Sequence, residues 1–183
     1  MDDLSNDNER NIPAWAYETI EIEDPDPDWM DQGIRERKEL LQILSAWGGR
    51  EVEHIGSTAI PDLPAKPIID FMASISSFED IDGVVGNLSL YDWHYVPPEL
   101  DKHHWRRFFV KVENDKRVAH LHLMQEGEER WGEQLRFRNR LRADGHLADQ
   151  YAALKRRIAQ KFDHDREKYT EAKTTFINKV LRQ

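Results

Sequence analysis

The order of apolar and polar residues along the chain predicts both strands and helices. Residues 18–23 largely alternate apolar with acidic side chains, which is typical of a half-exposed strand. After a break at 24–28, Asp28 is predicted to cap a helix of about 18 residues, which ends at Gly48 and Gly49. The apolar residues that recur near the helical period in this helix are Met30, Ile34, Leu41 and Leu44.

The remaining segments predict a sheet followed by a helical region. A mostly apolar run at 67–74 predicts a central strand that is covered on both faces, and its single charge is Asp70. Asn114 and Asp115 are typical of a hairpin turn between two later strands. Further strands are predicted at 51–55, 91–96, 105–112 and 117–124, and helices at 77–90, 127–143, 147–163 and 165–181. The pattern predicts an α/β (α+β) fold, in which a mixed sheet of about five strands has flanking helices and a helical C-terminal third.

Composition narrows the class of protein. Of the 183 residues, 39% are apolar and 33% are charged, a balance that favours a globular domain with a charged surface. Residues 1–14 are polar and acidic without periodicity, so we predict a disordered tail there and a single domain over 15–183. No apolar run reaches the roughly 18 residues that span a membrane, and the acidic start lacks a secretion signal. We therefore expect a cytoplasmic protein without a membrane partner.

Charge is distributed unevenly along the chain. The net charge of -9 is the sum of -9 for residues 1–30, -6 for 31–130 and +6 for 131–183. An acidic protein repels phosphate backbones, so a nucleic acid polymer is not an expected partner. The basic last third indicates either a face that receives a small phosphorylated ligand or a set of solvated helix faces. Since the chain has no cysteine, a metal would be bound by His, Asp, Glu or backbone oxygen.

The segment 53–70 combines residue types that suit phosphate chemistry. Gly56 and Ser57 follow a predicted strand, and Asp70 lies on the next strand. Glycine lets the backbone approach phosphates, a serine hydroxyl can hold phosphate oxygens, and an acid on the next strand can bind Mg²⁺. The apolar neighbours of Asp70 favour this interpretation over a turn glycine with a surface aspartate. The candidate ligand contacts in the segment are Glu53, His54, Gly56, Ser57, Thr58 and Lys66.

The run VEHIGSTAIPDLPAKPIID at 52–70 resembles the signature of the GrpB family, which is assigned to the nucleotidyltransferase superfamily. The resemblance extends to EIEDPDPDW at 21–29, to HLH at 120–122 and to FRNRLR at 137–142. It also includes Tyr151, Leu154 and Lys155 as a Tyr-x-x-Leu-Lys pattern. The resemblance implies a nucleotidyltransferase-like sheet, a nucleotide or other phosphorylated small molecule as the ligand, and a divalent metal as the cofactor.

The acids of the site depart from the usual superfamily pattern. Nucleotidyltransferases of the polymerase-β type carry a second acid where this chain has Met72, and a third where it presents His120 and His122. The two histidines share one strand face about 7 Å apart, so with Asp70 they could form a metal site suited to Zn²⁺, Mn²⁺ or Fe²⁺, whereas Asp70 alone is the candidate ligand for Mg²⁺. Alternatively His122 acts as a general base beside Asp70, or the histidines only donate hydrogen bonds near the core.

Basic residues of the predicted C-terminal helices are further candidates. Arg138 and Arg142 are four residues apart and could together clamp a phosphate or a carboxylate. Tyr151 could stack on a base while Lys155 reaches an anion. Salt bridges on the surface are the alternative for both pairs.

Three functions follow from these residues. The first is metal-assisted transfer of a nucleotidyl group to a small acceptor. The second is a non-catalytic module that binds a phosphorylated ligand, which Met72 favours. The third is a metal-dependent hydrolase that uses Asp70, His120 and His122.

Overall fold

The structure, a computed structural model, describes residues 13, 15 and 19–182. The predicted disordered tail lies almost entirely outside the described residues. The helices are α1 Asp28–Ser45, α2 Ile81–Ser89, α3 Pro98–Asp101, α4 Glu129–Ala143, α5 Gly145–Lys161 and α6 Arg166–Arg182. The strands are β1 Glu51–Ile55, β2 Ile69–Ile75, β3 Trp93–Val96, β4 Arg106–Glu113 and β5 Lys116–Gln125.

The five strands form one mixed sheet in the order β1-β2-β5-β4-β3, which confirms the predicted α/β architecture. Strands β2 and β5 are parallel, and the other neighbouring pairs are antiparallel. The hairpin between β4 and β5 turns at Asn114 and Asp115, whose φ angles of 50° and 58° are left-handed. The parallel pairing sets Asp70 directly beside His120 and Met72 beside His122.

The two faces of the sheet have different surroundings. On one face Phe71 of β2 and Leu121 of β5 are fully buried in the main core, which also contains Leu40 and Leu44 of α1 and Leu88 of α2. Because side chains alternate along a strand, the other face carries the intervening residues. Those residues include Asp70, Met72, His120 and His122. Period-two alternation therefore gathers the candidate site on one sheet face.

The predicted strand at 18–23 is wrong for the residues that the structure describes. Residues 19–23 form a single bridge, between Glu23 and Ala65, and the Ile20 N–H donates to the Asp163 carbonyl at 2.8 Å. Ile20 is buried against Ile158 and Tyr169, so its apolar side chain packs on helices α5 and α6. An alternating pattern becomes a strand only where another strand lies alongside it.

The face of α1 also differs from the prediction. Pro27 rather than Asp28 precedes the first helical turn. Ile34 and Leu41 are 51% and 37% exposed, although they were predicted among the recurring apolar residues. The buried residues of the helix are Trp29, Gly33, Leu40, Ile43 and Leu44. Gly33 belongs to this stripe because a Cβ there would lie 2.2 Å from His54 Nδ1. Among the described residues, no helix combines the length and the apolar character needed to cross a membrane.

Candidate functional site

The loop after β1 brings Gly56 against Asp70. Gly56 has φ 72° and ψ −169°, and residues Ser57–Ala59 then form one turn of 3₁₀ helix. A Cβ at position 56 would lie 2.6 Å from Asp70 Oδ2 and 3.1 Å from Asp70 Cβ. Glycine is thus required at position 56 for two reasons: the backbone has a positive φ, and the Asp70 carboxyl group leaves no space for a Cβ.

Asp70 accepts a hydrogen bond from a histidine on the neighbouring strand. His120 Nδ1 lies 3.0 Å from Asp70 Oδ1, and His122 Nε2 lies 3.9 Å from the same oxygen. Burial alone would raise the pKa of Asp70, but its interactions with the two imidazoles outweigh burial and hold that pKa well below its usual range. Asp70 is therefore an anion, and His120 Nδ1 carries the proton between them.

Burial favours the neutral form of both histidines. Burial lowers the pKa of His120 to about 4, although the hydrogen bond with Asp70 opposes this. Burial also lowers the pKa of His122, and the nearby Arg106 adds to this shift. His120 Nε2 is buried and has no hydrogen-bond partner among the described residues.

The predicted metal ligands do not have coordination geometry. The His120 nitrogen that faces Asp70 is protonated, and His122 Nδ1 accepts a hydrogen bond from Arg106 Nη1. Within residues 13, 15 and 19–182, no group of three or more His, Cys, Asp or Glu side chains is arranged to hold a metal ion. Met72, at the position of the usual second acid, is fully buried and offers no oxygen. The set of Asp70, His120 and His122 therefore does not fit a divalent metal in this arrangement.

Three lysines lie in the electrostatic neighbourhood of Asp70, and we call Lys66, Lys155 and Lys173 the lysine cluster. The charge of Asp70 acts on all three ammonium groups. Lys66 and Lys173 both lie over the ring of Tyr169, with Nζ 5.5 Å and 4.5 Å from its centroid. Lys155 is 2% exposed, and its Nζ donates to the Pro64 carbonyl.

The lysine cluster is electrostatically strained by burial and by mutual repulsion. Burial, followed by nearby cations, lowers the pKa of Lys66 and of Lys155 to about 7. Burial also lowers the pKa of Lys173 to about 8, and Arg166 contributes in the same direction. A single carboxylate therefore does not balance the positive charge gathered here. An anionic ligand would stabilise the charged form of each lysine.

Sequence reasoning found Lys66 and Lys155 but missed Lys173, Tyr169 and Arg166. These three residues lie on α6 at spacings of three and four, so they share one face of that helix. That spacing was visible in the sequence. What the sequence did not show was that this face of α6 packs toward Asp70.

His54 and Thr58, predicted as ligand contacts, lie behind the loop. They are 7% and 2% exposed, and His54 Nε2 lies 2.9 Å from Thr58 Oγ1. Burial lowers the pKa of His54 to about 4, so the ring is neutral. The two side chains therefore connect β1 to the 3₁₀ turn from the protein interior.

Tyr151 is part of the core between α4, α5 and α6. Its ring stacks on Phe176 at a centroid distance of 5.2 Å and meets Phe137 edge-on at 5.3 Å. The residue is 5% exposed, and burial raises the pKa of its hydroxyl. These contacts occupy the ring that was predicted to stack on a base.

Arg138 and Glu53, both predicted as ligand contacts, bind each other. Arg138 Nη1 donates to Glu53 Oε2 at 2.7 Å and to the His54 carbonyl at 2.9 Å. One turn later, Arg142 Nε donates to the Ala59 carbonyl at 2.8 Å. Helix α4 thus holds the loop on both sides of Gly56.

We expect Arg138→Ala to destabilise the fold by about 2 kcal/mol, because it leaves the half-buried Glu53 carboxylate and a backbone carbonyl without their charged donor. Urea unfolding measures the change. Arg136→Ala, at an exposed position of the same helix, is the control and should change stability by no more than about 0.5 kcal/mol. Equal effects of the two substitutions would show that the Arg138 contacts do not stabilise the loop.

Comparison with known proteins gives a consistent family match. A family model described as "GrpB protein" matches residues 19–183. The glutamate-rich protein GrpB of Alkalihalophilus pseudofirmus is 28% identical over 149 residues, which cover 80% of this chain and 85% of that protein. The crystal structure of the conserved protein GrpB from Enterococcus faecalis has a TM-score of 0.78 and 32% identity, covering 88% of this chain and 95% of that one.

A more distant similarity defines the fold. The Cid1 poly(U) polymerase, solved as an H336N mutant bound to MgATP, has a TM-score of 0.51 and 10% identity. The match covers 74% of this chain and 45% of that one. At this identity the likeness concerns the fold alone, which is nucleotidyltransferase-like.

Proposed function

Because this chain belongs to the GrpB family and has a nucleotidyltransferase-like fold, we propose that it binds a nucleotide or another phosphorylated small molecule at the Asp70 face of its sheet. The observation that carries the proposal is the lysine cluster. The charge of one carboxylate, Asp70, acts on all three of its ammonium groups, and at least one of them is almost completely buried.

The charge of the cluster selects the class of ligand. Burying an ammonium group is costly unless an anion is close to it, and Asp70 supplies one negative charge for three lysines. A phosphate group carries about two negative charges at neutral pH and accepts several hydrogen bonds. Lysine suits this role because its ammonium acts as a compact point charge. A phosphorylated ligand would therefore supply the missing negative charge.

The loop supports the same location. Gly56 lies against Asp70, and the next residue, Ser57, interacts with the Tyr151 hydroxyl from α5. Lys66 continues from this loop, whereas Lys155 and Lys173 come from α5 and α6. A ligand at this position would contact both the sheet region and the C-terminal helices, which favours a site shared by the two parts of the fold.

Binding without nucleotidyl transfer is the function that these residues support best. The Cid1 polymerase shares the fold, and its MgATP suggests a nucleotide as the first ligand to test here. Two-metal transfer needs at least a second carboxylate, but Met72 stands at that position and the histidines point hydrogen-bonding nitrogens at Asp70. We therefore propose that lysines, and not a metal ion, neutralise the negative charge of the ligand.

Calorimetric titration of the full chain with ATP and with inorganic triphosphate tests this function. We expect both to bind in EDTA as well as in Mg²⁺, and Lys173→Met to weaken binding about tenfold, since one charged hydrogen bond is lost. Lys179→Met, at an exposed position near the end of α6, should bind as the wild type does.

Two outcomes would contradict the proposal. One is that neither compound binds at millimolar concentration. The other is that Lys173→Met and Lys179→Met weaken binding equally, which would indicate general attraction by the basic helices. Binding that requires Mg²⁺, or the release of pyrophosphate from ATP, would instead support the metal-assisted transfer predicted from the sequence.

A further inference from the structure

A chain of partly buried polar contacts links Asp101 to Asp70. Asp101, at the end of α3, accepts hydrogen bonds from Arg106 Nε at 2.8 Å and Nη2 at 2.6 Å. The two side chains are 6% and 12% exposed. Arg106 Nη1 then contacts His122 Nδ1, and His122 Nε2 faces Asp70 Oδ1 at 3.9 Å.

We propose that Arg106, held by Asp101, is a positioning residue that fixes His122 as a hydrogen-bond donor at Nε2. A guanidinium group has only N–H donors and no acceptor. The nitrogen that it contacts must therefore carry a lone pair, so His122 Nδ1 is unprotonated. A neutral imidazole has one proton, which is then on Nε2, the nitrogen that faces Asp70.

Neighbouring side chains hold Arg106 in the orientation in which it donates to His122 Nδ1. Its guanidinium lies 4.4 Å from the centroid of the Phe108 ring and 5.1 Å from that of Trp105. The Phe108 ring also packs on His122, at a centroid distance of 5.3 Å. The bidentate pair with Asp101 fixes the plane of the guanidinium, because a fork of two donors permits one relative orientation. Arg106 cannot turn away from His122 without losing these contacts.

The assignment changes the role predicted for His122. A general base needs a free lone pair directed at the proton that it removes. Here the lone pair is on Nδ1 and is occupied by Arg106, whereas the nitrogen toward Asp70 already bears a proton. His122 therefore directs an N–H, and not a lone pair, toward the Asp70 carboxylate. If the proposed phosphate site is correct, the same N–H is also available to an anionic oxygen of the ligand.

Nitrogen-15 spectroscopy of the ligand-free full chain tests this inference separately from the proposed function. Long-range proton–nitrogen spectra of histidine-labelled protein distinguish protonated from unprotonated ring nitrogens, and the signals that disappear in His122→Gln identify His122. We expect Nδ1 to be unprotonated and Nε2 protonated at neutral pH. In Arg106→Met we expect His122 to shift to a mixture of tautomers or to the Nδ1–H form, and Asp101→Asn should cause a shift in the same direction.

Arg107→Met is the matched control. Arg107 is the next residue of β4, and its guanidinium lies 4.2 Å from the Phe78 ring, on the other face of the sheet. We expect the His122 signals to be unchanged in this variant. A protonated Nδ1 in the wild-type spectrum would overturn the inference, even if Arg106→Met does not fold. An unchanged His122 tautomer in folded Arg106→Met would also overturn it.

Discussion

Gly56→Ala is expected to abolish binding of ATP and triphosphate and to destabilise the fold by about 1–3 kcal/mol. The backbone at position 56 has φ 72° and ψ −169°, a region that a residue with a Cβ rarely adopts. The new methyl group would also lie 2.6 Å from Asp70 Oδ2. Either the loop or the Asp70 carboxylate must move, and a displacement of about 1 Å in a binding site can cost roughly a hundredfold in function.

Gly86→Ala is the matched control for this substitution. Gly86 lies within α2, and a Cβ there would meet no atom within 4 Å. Alanine in a helix interior should stabilise the protein by about 0.5–1 kcal/mol, with no effect on binding. Urea unfolding and calorimetric titration give both quantities. If Gly56→Ala has the same free energy of unfolding and the same ligand affinity as the wild type, neither the strained backbone nor the contact with Asp70 constrains the site.

The sheet and its site face could be predicted because both depend on local patterns. The apolar run around Asp70 and the alternation at His120 and His122 are properties of consecutive residues, and two parallel strands set them side by side. Gly56 was also recognisable, although the group that approaches it is the Asp70 carboxyl of the protein itself. These parts of the site could be predicted from strand periodicity and one turn glycine alone.

The remaining contacts depend on how distant elements pack. Lys173 acts on Lys66 although more than a hundred residues separate them, and no periodicity indicates which face of α6 lies toward Lys66. Arg138 was expected to meet a ligand, because a sequence shows a charge but not the Glu53 carboxylate that pairs with it. Alternating residues near Ile20 resembled a strand because the pattern does not show whether a partner strand is available.

The lysine cluster predicts opposite effects of pH on ligand binding and on stability. In the ligand-free protein the pKa is about 7 for Lys66 and Lys155 and about 8 for Lys173. A bound anion favours the charged lysines, so binding takes up protons once they have become neutral. We expect the affinity for triphosphate to fall by between about tenfold and a hundredfold from about pH 7 to pH 9.

Stability of the ligand-free protein should change in the other direction. Burial lowers the pKa of these lysines below the value of 10.5 for an ordinary lysine, so between about pH 7 and 10.5 the unfolded chain binds more protons than the folded one. Burial of these charged lysines destabilises the fold, and this cost disappears as they lose their protons. Their contribution to the free energy of unfolding therefore rises with pH across this window. Calorimetric titrations and urea unfolding at a series of pH values measure the two slopes.

Substitution of one cluster lysine separates this mechanism from the charge of the whole protein. Lys173→Met removes one of the titrating groups, so it should reduce both pH slopes, whereas the exposed Lys179→Met should leave both unchanged. General charge effects would make the two variants behave alike, because each loses one positive charge. A triphosphate affinity that is constant from about pH 7 to pH 9 would show that the cluster lysines do not contact the ligand. Suppose that affinity falls and stability rises with pH, and that both slopes depend on Lys173. The cost of burying these lysines is then relieved by loss of their protons in the free protein, and by the bound anion in the complex.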